Sequence, residues 1–208
     1  MKRFTTPAVF LALCALTEPA MAIEKPKYRV VQELPGFEVR EYPPYLVAET
    51  EVSGSREEAG NAGFRRLAGY IFGKNRGEKK IAMTAPVAQQ EGARIAMTAP
   101  VSQQAAPDRG PSNWVIQFMI PSGYTRDTLP EPLDPAIRFR EIPERRVAAL
   151  RYSGSWSEER YLEKLAELRA AMEKEGLRAV GEPVWARYDP PFMPWFLRTN
   201  EILVEIAP

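Results

Sequence analysis

Hydrophobic and polar residues alternate along short segments of the chain, whereas two longer segments show the spacing of amphipathic helices. Residues 37–40 and residues 47–52 alternate between apolar and charged or polar side chains, a two-residue period that is typical of half-buried strands. Over residues 56–72 and again over residues 156–175, apolar residues recur every three or four positions, which predicts a helix in each case. The chain is therefore expected to combine strands with two long helices.

Start and stop signals bound both predicted helices. S-x-x-E capping boxes precede them at Ser55–Glu58 and Ser155–Glu158, and Gly73 and Gly176 follow them. Such boxes satisfy free N–H groups of the first turn, and glycine is common just past the last turn. The expected buried stripes comprise Ala59, Gly63 or Phe64, Leu67, Ala68 and Ile71 on the first helix, and Tyr161, Leu165, Leu168 and Met172 on the second.

A long, imperfect repeat relates the two halves of the chain. Residues 40–58 recur at residues 140–158 with nine identities in nineteen positions, where average composition would give about one. Each copy is interpreted as a hairpin, turning at Pro43–Pro44 or Pro143–Glu144, followed by a helix. With a further strand over residues 114–120, this predicts an α+β fold. It is a distorted antiparallel β-barrel or curled sheet, built from two pseudo-two-fold related halves, each with one long helix on the outside.

A second, exact repeat lies between these copies. The string Ile-Ala-Met-Thr-Ala-Pro-Val occurs at residues 81–87 and again at residues 95–101. If both segments are extended, the isoleucine, methionine, alanine and valine of each copy share one face. The prediction is two matched strands or rims, which carry Met83 and Met97 respectively.

The first residues have the pattern of an export signal. Lys2 and Arg3 precede an apolar stretch over residues 8–16, and Ala20-Met21-Ala22 is an A-x-A cleavage site. We therefore expect a signal peptide at residues 1–22, cleavage after Ala22, a single domain at residues 23–208, and a periplasmic or secreted protein. Leu13 precedes the sole cysteine, Cys14, where a lipoprotein signal has a small residue, so a soluble rather than a lipid-anchored product is expected.

Composition excludes several classes of function. Without the predicted signal, 26 basic and 26 acidic residues remain, and this balance argues against nucleic acid as a partner. The chain has no histidine, and its one cysteine lies in the signal, so a Cys/His zinc site, a disulfide and imidazole catalysis are not expected. No other apolar run reaches the roughly 20 residues of a membrane span. The oligomeric state is left open.

Several separated motifs resemble those of the SOUL or haem-binding-protein family. They are the capped first helix, Met-Thr-Ala-Pro-Val, the tract at residues 124–130, Ser153-Gly154, and the segment from Tyr188-Asp189-Pro190-Pro191 to Asn200-Glu201. The resemblance implies a distorted antiparallel barrel from two related halves. It also implies non-covalent binding of haem or another tetrapyrrole in a cleft beside the first helix. Without histidine, the iron would have methionine, tyrosine or no protein ligand, and basic side chains would pair with the propionates.

On this basis the candidate cofactor-binding residues are Phe64, Arg65, Leu67, Ala68, Ile71, Met83 and Met97. An apolar helical stripe is more often core than ligand site, and methionine in a strand more often fills core space. Other candidates have equally ordinary alternatives. They are the basic residues Arg65, Arg66, Lys74, Arg76, Lys79 and Lys80, the aromatic residues Trp114, Phe118, Trp195 and Phe196, and the pair Tyr188-Asp189.

The leading hypothesis is a carrier or buffer that binds haem or a related tetrapyrrole. A second hypothesis is that the same cleft binds a different amphipathic small molecule. A third is a hydrolase that uses a carboxylate, with Glu41 and Glu141 in equivalent positions of the two halves, although no catalytic constellation is visible. A pure interaction module would need a large exposed apolar patch.

Overall fold

A computed structural model describes residues 24–77, 95–106, 112–190 and 192–208. The strands are β1 (Arg29–Leu34), β2 (Phe37–Tyr42), β3 (Tyr45–Ser53), β4 (Asn75–Arg76), β5 (Val101–Ala105), β6 (Asn113–Met119), β7 (Glu131–Pro132), β8 (Ile137–Ile142), β9 (Arg145–Ser153), β10 (Val184–Arg187) and β11 (Thr199–Glu205). The helices are α1 (Arg56–Ile71) and α2 (Glu158–Lys174), and a short 3-10 turn spans Trp195–Leu197. Within these residues, no helix is long and apolar enough to span a membrane.

Nine strands form one curled antiparallel sheet in the order β1-β2-β9-β11-β10-β5-β6-β3-β8, and β4 pairs with β7 separately. Both helices lie on the same face of the sheet. α1 packs on β3 and β6, and α2 packs on β9 and β11. The predicted α+β class, with a curled sheet and two outer helices, is confirmed. The strands β5 and β10 lie between the strands that the two helices cover.

The two predicted hairpins are wrong. β2 pairs with β1 and β9, and β3 pairs with β6 and β8, so neither of these consecutive strands pairs with the other. Tight two-residue hairpins require positive φ in the turn, and proline fixes φ near −65°. The chain therefore stays extended through Pro43–Pro44 and through Pro143–Glu144, and in each case it crosses to the other half of the sheet. Each half of the sheet thus contains strands from both copies of the long repeat.

α1 is bounded as its sequence predicts. Ser55 accepts a hydrogen bond from the backbone N–H of Glu58, and the Glu58 carboxylate accepts one from the backbone N–H of Ser55. Gly73 follows the last turn with φ of 113°. Of the two alternatives in the stripe, Gly63 is the residue that faces the sheet, because a Cβ there would lie 2.3 Å from Cγ1 of Ile116. Phe64 lies at the edge of the contact and is half-buried.

α2 begins two residues later than its capping box predicts. Ser157, not Ser155, is the N-cap, and its side chain accepts from the backbone N–H of Arg160. The indole N–H of Trp156 donates to Oδ1 of Asn200 at 2.8 Å, and this contact holds the chain extended up to Ser157. The predicted stripe of Tyr161, Leu165, Leu168 and Met172 is buried as expected, and the helix stops before Gly176.

The second copy of the exact repeat is not a regular strand with one apolar face. Ile95 and Ala99 are 3% and 5% exposed, whereas Met97 between them is 38% exposed, and β5 starts only at Val101. Thr98 is buried, and its hydroxyl donates to the Met119 carbonyl. Because Thr98 points inward, the side chain of the preceding Met97 points outward. The first copy, with Met83, lies outside the described residues.

Candidate functional site

The concave face of the sheet, opposite the helices, is filled by side chains of the protein itself. Tyr42, Tyr45, Tyr188 and Leu203 leave a cavity of about 10 Å³ there, room for one water molecule at most. Pro26, from the segment that precedes β1, closes the same cavity. A ligand the size of a drug needs some hundreds of Å³, so this cavity does not hold one.

Charge on the concave face is also neutralised. Glu201 is 4% exposed and binds Nη1 and Nη2 of Arg40 at 3.0 and 3.1 Å, and it accepts a hydrogen bond from the Tyr188 hydroxyl at 2.6 Å. Burial, together with the Glu201 carboxylate, raises the pKa of Tyr188 far above its usual value. Tyr188 is therefore a neutral hydrogen-bond donor, which argues against the phenolate ligand considered from the sequence.

On the helix face, β5 and β10 lie between the strands that α1 and α2 cover. Val101 is paired with Arg187 and Gln103 with Trp185 across these strands, and their side chains point to the helix face. The Phe64 ring lies on the α1 side, 5.5 Å from the ring of Phe118, which is the neighbour of Val101 on β6. We call the region formed by Phe64, Val101, Gln103, Trp156 and Arg187 the interhelical trough. Within it, Gln103 is only 3% exposed, and its amide donates to the Arg56 carbonyl at 2.8 Å.

Arg187 carries the charge of the interhelical trough. Its guanidinium is 3.9 Å from the centre of the Trp185 ring and 5.2 Å from that of Trp156, and its Nη2 donates to Oε1 of Gln103 at 3.3 Å. The backbone of Gly60 lies against it, since a Cβ there would be 3.6 Å from Nη1. Burial, and to a lesser extent the nearby Arg56, lower the pKa of Arg187 to about 10.

On the α2 side, Trp156 forms a fixed wall. Asn200 is completely buried, accepts from the Trp156 indole and donates to the Gly154 carbonyl at 3.3 Å. The guanidinium of Arg198 lies 4.2 Å from the Trp156 ring. The Ser153-Gly154 and Asn200 motifs thus set the position of one side chain of the trough.

Beside this wall lies an exposed apolar loop. Phe192, Trp195, Phe196 and Leu197 are between 58% and 85% exposed. The ends of the loop are fixed, because the Asp189 carboxylate accepts from the backbone N–H of Thr199 and Nε of Arg198 donates to the Met193 carbonyl at 2.8 Å. The turn interpretation of Asp189 is thereby supported. Through Arg198 and Trp156, the loop is connected to the α2 side of the interhelical trough.

The candidate cofactor-binding residues do not lie together in the structure. Leu67, Ala68 and Ile71 are at most 8% exposed and belong to the core beneath α1. Phe64 is half-buried at the trough, and Arg65 is exposed. Met97 is exposed on the surface, and Met83 is outside the described residues. Among the described members of this set, Phe64 alone lies in the interhelical trough.

Three of the charged alternatives have structural partners. Arg66 pairs with Asp134 at 2.9 Å, and Arg76 pairs with Glu131 at 3.1 Å. Glu41 pairs with Arg29 and lies 3.5 Å from Arg146, so it is not a free base of the kind that a hydrolase needs. Lys79 and Lys80 are outside the described residues. In the part of the chain that the structure describes, no group of three acidic residues could hold a metal ion.

Arg187, Gln103 and Trp156 were not among the residues singled out from the sequence. The signal for Arg187 was present, since alternation along Val184-Trp185-Ala186-Arg187 puts the arginine on the same face as a tryptophan. An arginine at a core-facing position is unusual and is a sign of function. Trp156 and Gln103 carried no comparable signal, because their positions depend on contacts with distant strands.

Comparison with known proteins agrees with this architecture. The family model "SOUL heme-binding protein" matches residues 23–93 and 88–205. Heme-binding protein 2 of Homo sapiens is 30% identical over 193 residues, which are 88% of this chain and 86% of that protein. The EcmrR C-terminal domain has a TM-score of 0.59 at 11% identity, covering 86% of this chain and 98% of its own.

A hydrolase from Listeria innocua has a TM-score of 0.54 at 14% identity, with 85% of this chain and 94% of that chain covered. At such low identity, these two structures show a shared fold and nothing further. The family model and the human protein, in contrast, match this chain over most of its length. The chain belongs to the SOUL heme-binding family.

Proposed function

We propose that this protein binds haem or a related tetrapyrrole reversibly in the interhelical trough beside α1, without a histidine ligand to the iron. The observation that carries the proposal is the position of Phe64. Its ring lies half-exposed at the trough, above Phe118, while the neighbouring apolar residues of α1 face the core. A partly exposed aromatic ring beside an apolar floor suits the face of a planar macrocycle.

The chemistry of the trough fits the macrocycle better than it fits the iron. Phe64, Val101 and Trp156 offer apolar contact, and Arg187 offers a cation. There is no histidine in the chain, and the Tyr188 hydroxyl donates to Glu201. When bound, haem would supply its iron centre, whereas the residues of the trough would bind and orient the porphyrin. Binding by shape and burial suits a protein that buffers or transports its ligand.

We also propose that the domain acts outside the cytoplasm. The support is the pattern of the first 22 residues, with two basic residues, an apolar stretch and the A-x-A site. Exported protein should begin near Ile23, and N-terminal sequencing of protein from the periplasm or the medium tests this. Retention of the full chain in the cytoplasm would contradict it.

The test is a titration of residues 23–208 with ferric haem and, separately, with iron-free protoporphyrin, followed by absorbance and tryptophan fluorescence. Similar affinities for both are expected, because the described residues recognise the macrocycle. Phe64→Ala should weaken both at least tenfold, since burial of a phenylalanine side chain contributes about 1.5–3 kcal/mol. Leu162→Ala, which removes an exposed apolar residue from α2, is the matched control and should bind normally.

Two results would overturn the proposal. If neither tetrapyrrole changes the absorbance or the fluorescence, the trough does not bind this class, and the alternative of a different amphipathic ligand takes its place. If Phe64→Ala remains folded and binds with unchanged affinity, the ligand lies elsewhere.

Met97→Leu should leave the absorption spectrum of the haem complex unchanged, because Met97 lies on the exposed surface.

A further inference from the structure

Arg187 differs from the other buried arginines in its partners. Arg40, on the concave face, binds two carboxylates, those of Glu201 and Glu38. Arg56, at the start of α1, binds Glu158 at 3.2 Å and lies over the rings of Trp114 and Tyr161. Each of these charges is compensated within the protein, as buried charges normally are.

For Arg187, compensation of this kind is missing. Among the residues that the structure describes, its partners are the Gln103 amide oxygen, at the long distance of 3.3 Å, and the rings of Trp185 and Trp156. Its Nε is buried and has no hydrogen-bond partner. A buried cation without a carboxylate is costly, and a protein retains such a group where it has a use.

The charged groups near the guanidinium act in both directions. Besides burial, Arg56 lowers the pKa of Arg187, whereas Tyr152 and Glu57 raise it. Arg198 also lies over the Trp156 ring, at 4.2 Å. A guanidinium without a carboxylate partner among the described residues disfavours a cationic ligand and favours an anion.

From this geometry we infer that Arg187 binds a carboxylate of the ligand, so that the interhelical trough selects planar amphiphiles that carry an acidic group. The inference rests on the proposed function and specifies it. A guanidinium offers parallel N–H donors that match the two oxygens of a carboxylate. The indole rings of Trp156 and Trp185 hold the guanidinium in place. The apolar body of the ligand would lie against Phe64 and Val101.

The experiment compares two ligands with one macrocycle, protoporphyrin as the free acid and protoporphyrin as its dimethyl ester, which has no ionised carboxylate. The wild-type protein should bind the acid at least tenfold more tightly, because a charge-assisted hydrogen bond contributes that much or more. In Arg187→Gln the two affinities should become equal, through loss of affinity for the acid. Arg126→Gln, which removes an exposed arginine from a loop, should keep the wild-type preference.

The failures of the two proposals are distinguishable. If the wild type binds neither ligand, the proposed function fails, and this inference fails with it. If the wild type binds acid and ester equally, the trough still binds the macrocycle but the role of Arg187 is refuted, whether or not any variant folds. A preference that persists in folded Arg187→Gln refutes it as well.

Thermal unfolding separates this role from a structural one. Because Arg187 has no carboxylate partner among the described residues, Arg187→Gln should unfold at the wild-type temperature or above it. A large loss of stability would mean that the guanidinium holds the two indoles together and would overturn the inference. Arg187→Lys, which keeps the charge but not the fork, should retain only part of the preference for the acid.

Discussion

Arg40 on β2 and Glu201 on β11 form a bidentate ion pair on the concave face of the sheet, 161 positions apart in the chain. The side chains are 3% and 5% exposed. β9 separates the two strands in the sheet, so the pair ties the first half of the protein to the second across an intervening strand. The Tyr188 hydroxyl completes the arrangement on the carboxylate.

Breaking this pair from one side should be strongly destabilising. Arg40→Met and Glu201→Met each leave a buried group without its partner, and each should lower the free energy of unfolding by about 3–5 kcal/mol. The double variant Arg40→Met/Glu201→Met should lose clearly less than the sum of the single losses, because no uncompensated charge remains. Urea unfolding of the four proteins measures this cycle. Additive losses would show that the two residues do not interact in solution.

Stability should fall in alkaline solution. Burial raises the pKa of Tyr42 to about 12, whereas an unfolded tyrosine has a pKa of about 10. Between these values the unfolded state loses its proton first, so the contribution is fully present below pH 10 and is lost as the pH rises through about 12. Tyr42→Phe removes this titration, so the stability of this variant should decline less steeply as the pH rises. Urea midpoints across this pH range test it, and equal slopes for the two proteins would contradict it.

Two glycines of α1 should respond oppositely to alanine. At Gly63 a Cβ would overlap Ile116, with 2.3 Å to its Cγ1, so Gly63→Ala should cost about 1–3 kcal/mol. At Gly69 the nearest atom is the flexible Lys74 side chain at 3.1 Å, so Gly69→Ala should stabilise the helix by up to about 1 kcal/mol. Thermal unfolding compares them. A neutral Gly63→Ala would mean that α1 does not pack this closely on β6.

The N-cap of α2 can be assigned by a matched pair of serines. Ser157→Ala removes the oxygen that accepts from the Arg160 N–H and should lower stability by about 1 kcal/mol. Ser155→Ala removes only a contact of 3.1 Å with the Ser157 hydroxyl and should have a smaller effect. Chemical denaturation distinguishes them, and a larger loss for Ser155→Ala would restore the capping box that the sequence predicts.

Features that depend on neighbouring residues were predictable from the sequence. The Ser55–Glu58 box, Gly73 and the buried stripe of α2 were all recognised, because each acts within one or two helical turns. The pairing of β2 with β9 was not, since it depends on which distant strand completes the sheet. The capping of α2 failed for a similar reason, because Trp156 is held by Asn200 on β11.

The candidate site was predictable to a similar extent. Phe64 was named as a candidate from its place on the stripe of α1 together with the family resemblance. Leu67 belongs to the same stripe but is fully buried, and periodicity does not distinguish a residue that faces the sheet from one at its margin. Alternation along Val184–Arg187 places Arg187 on the same face as Trp185, but its position between the two helices depends on the pairing of β5 with β10, which no local pattern of the sequence encodes.

The crossing of β2 and β3 into opposite halves determines how the chain can become folded. When the first half leaves the ribosome or a translocation channel, β2 has no β9 to pair with and β3 has no β8. Its free strand edges are templates for wrong pairing until about a hundred further residues have followed. The pairs β2–β9 and β3–β8 can therefore form only after most of the chain has emerged, and until then these strand edges are open to pairing with other chains.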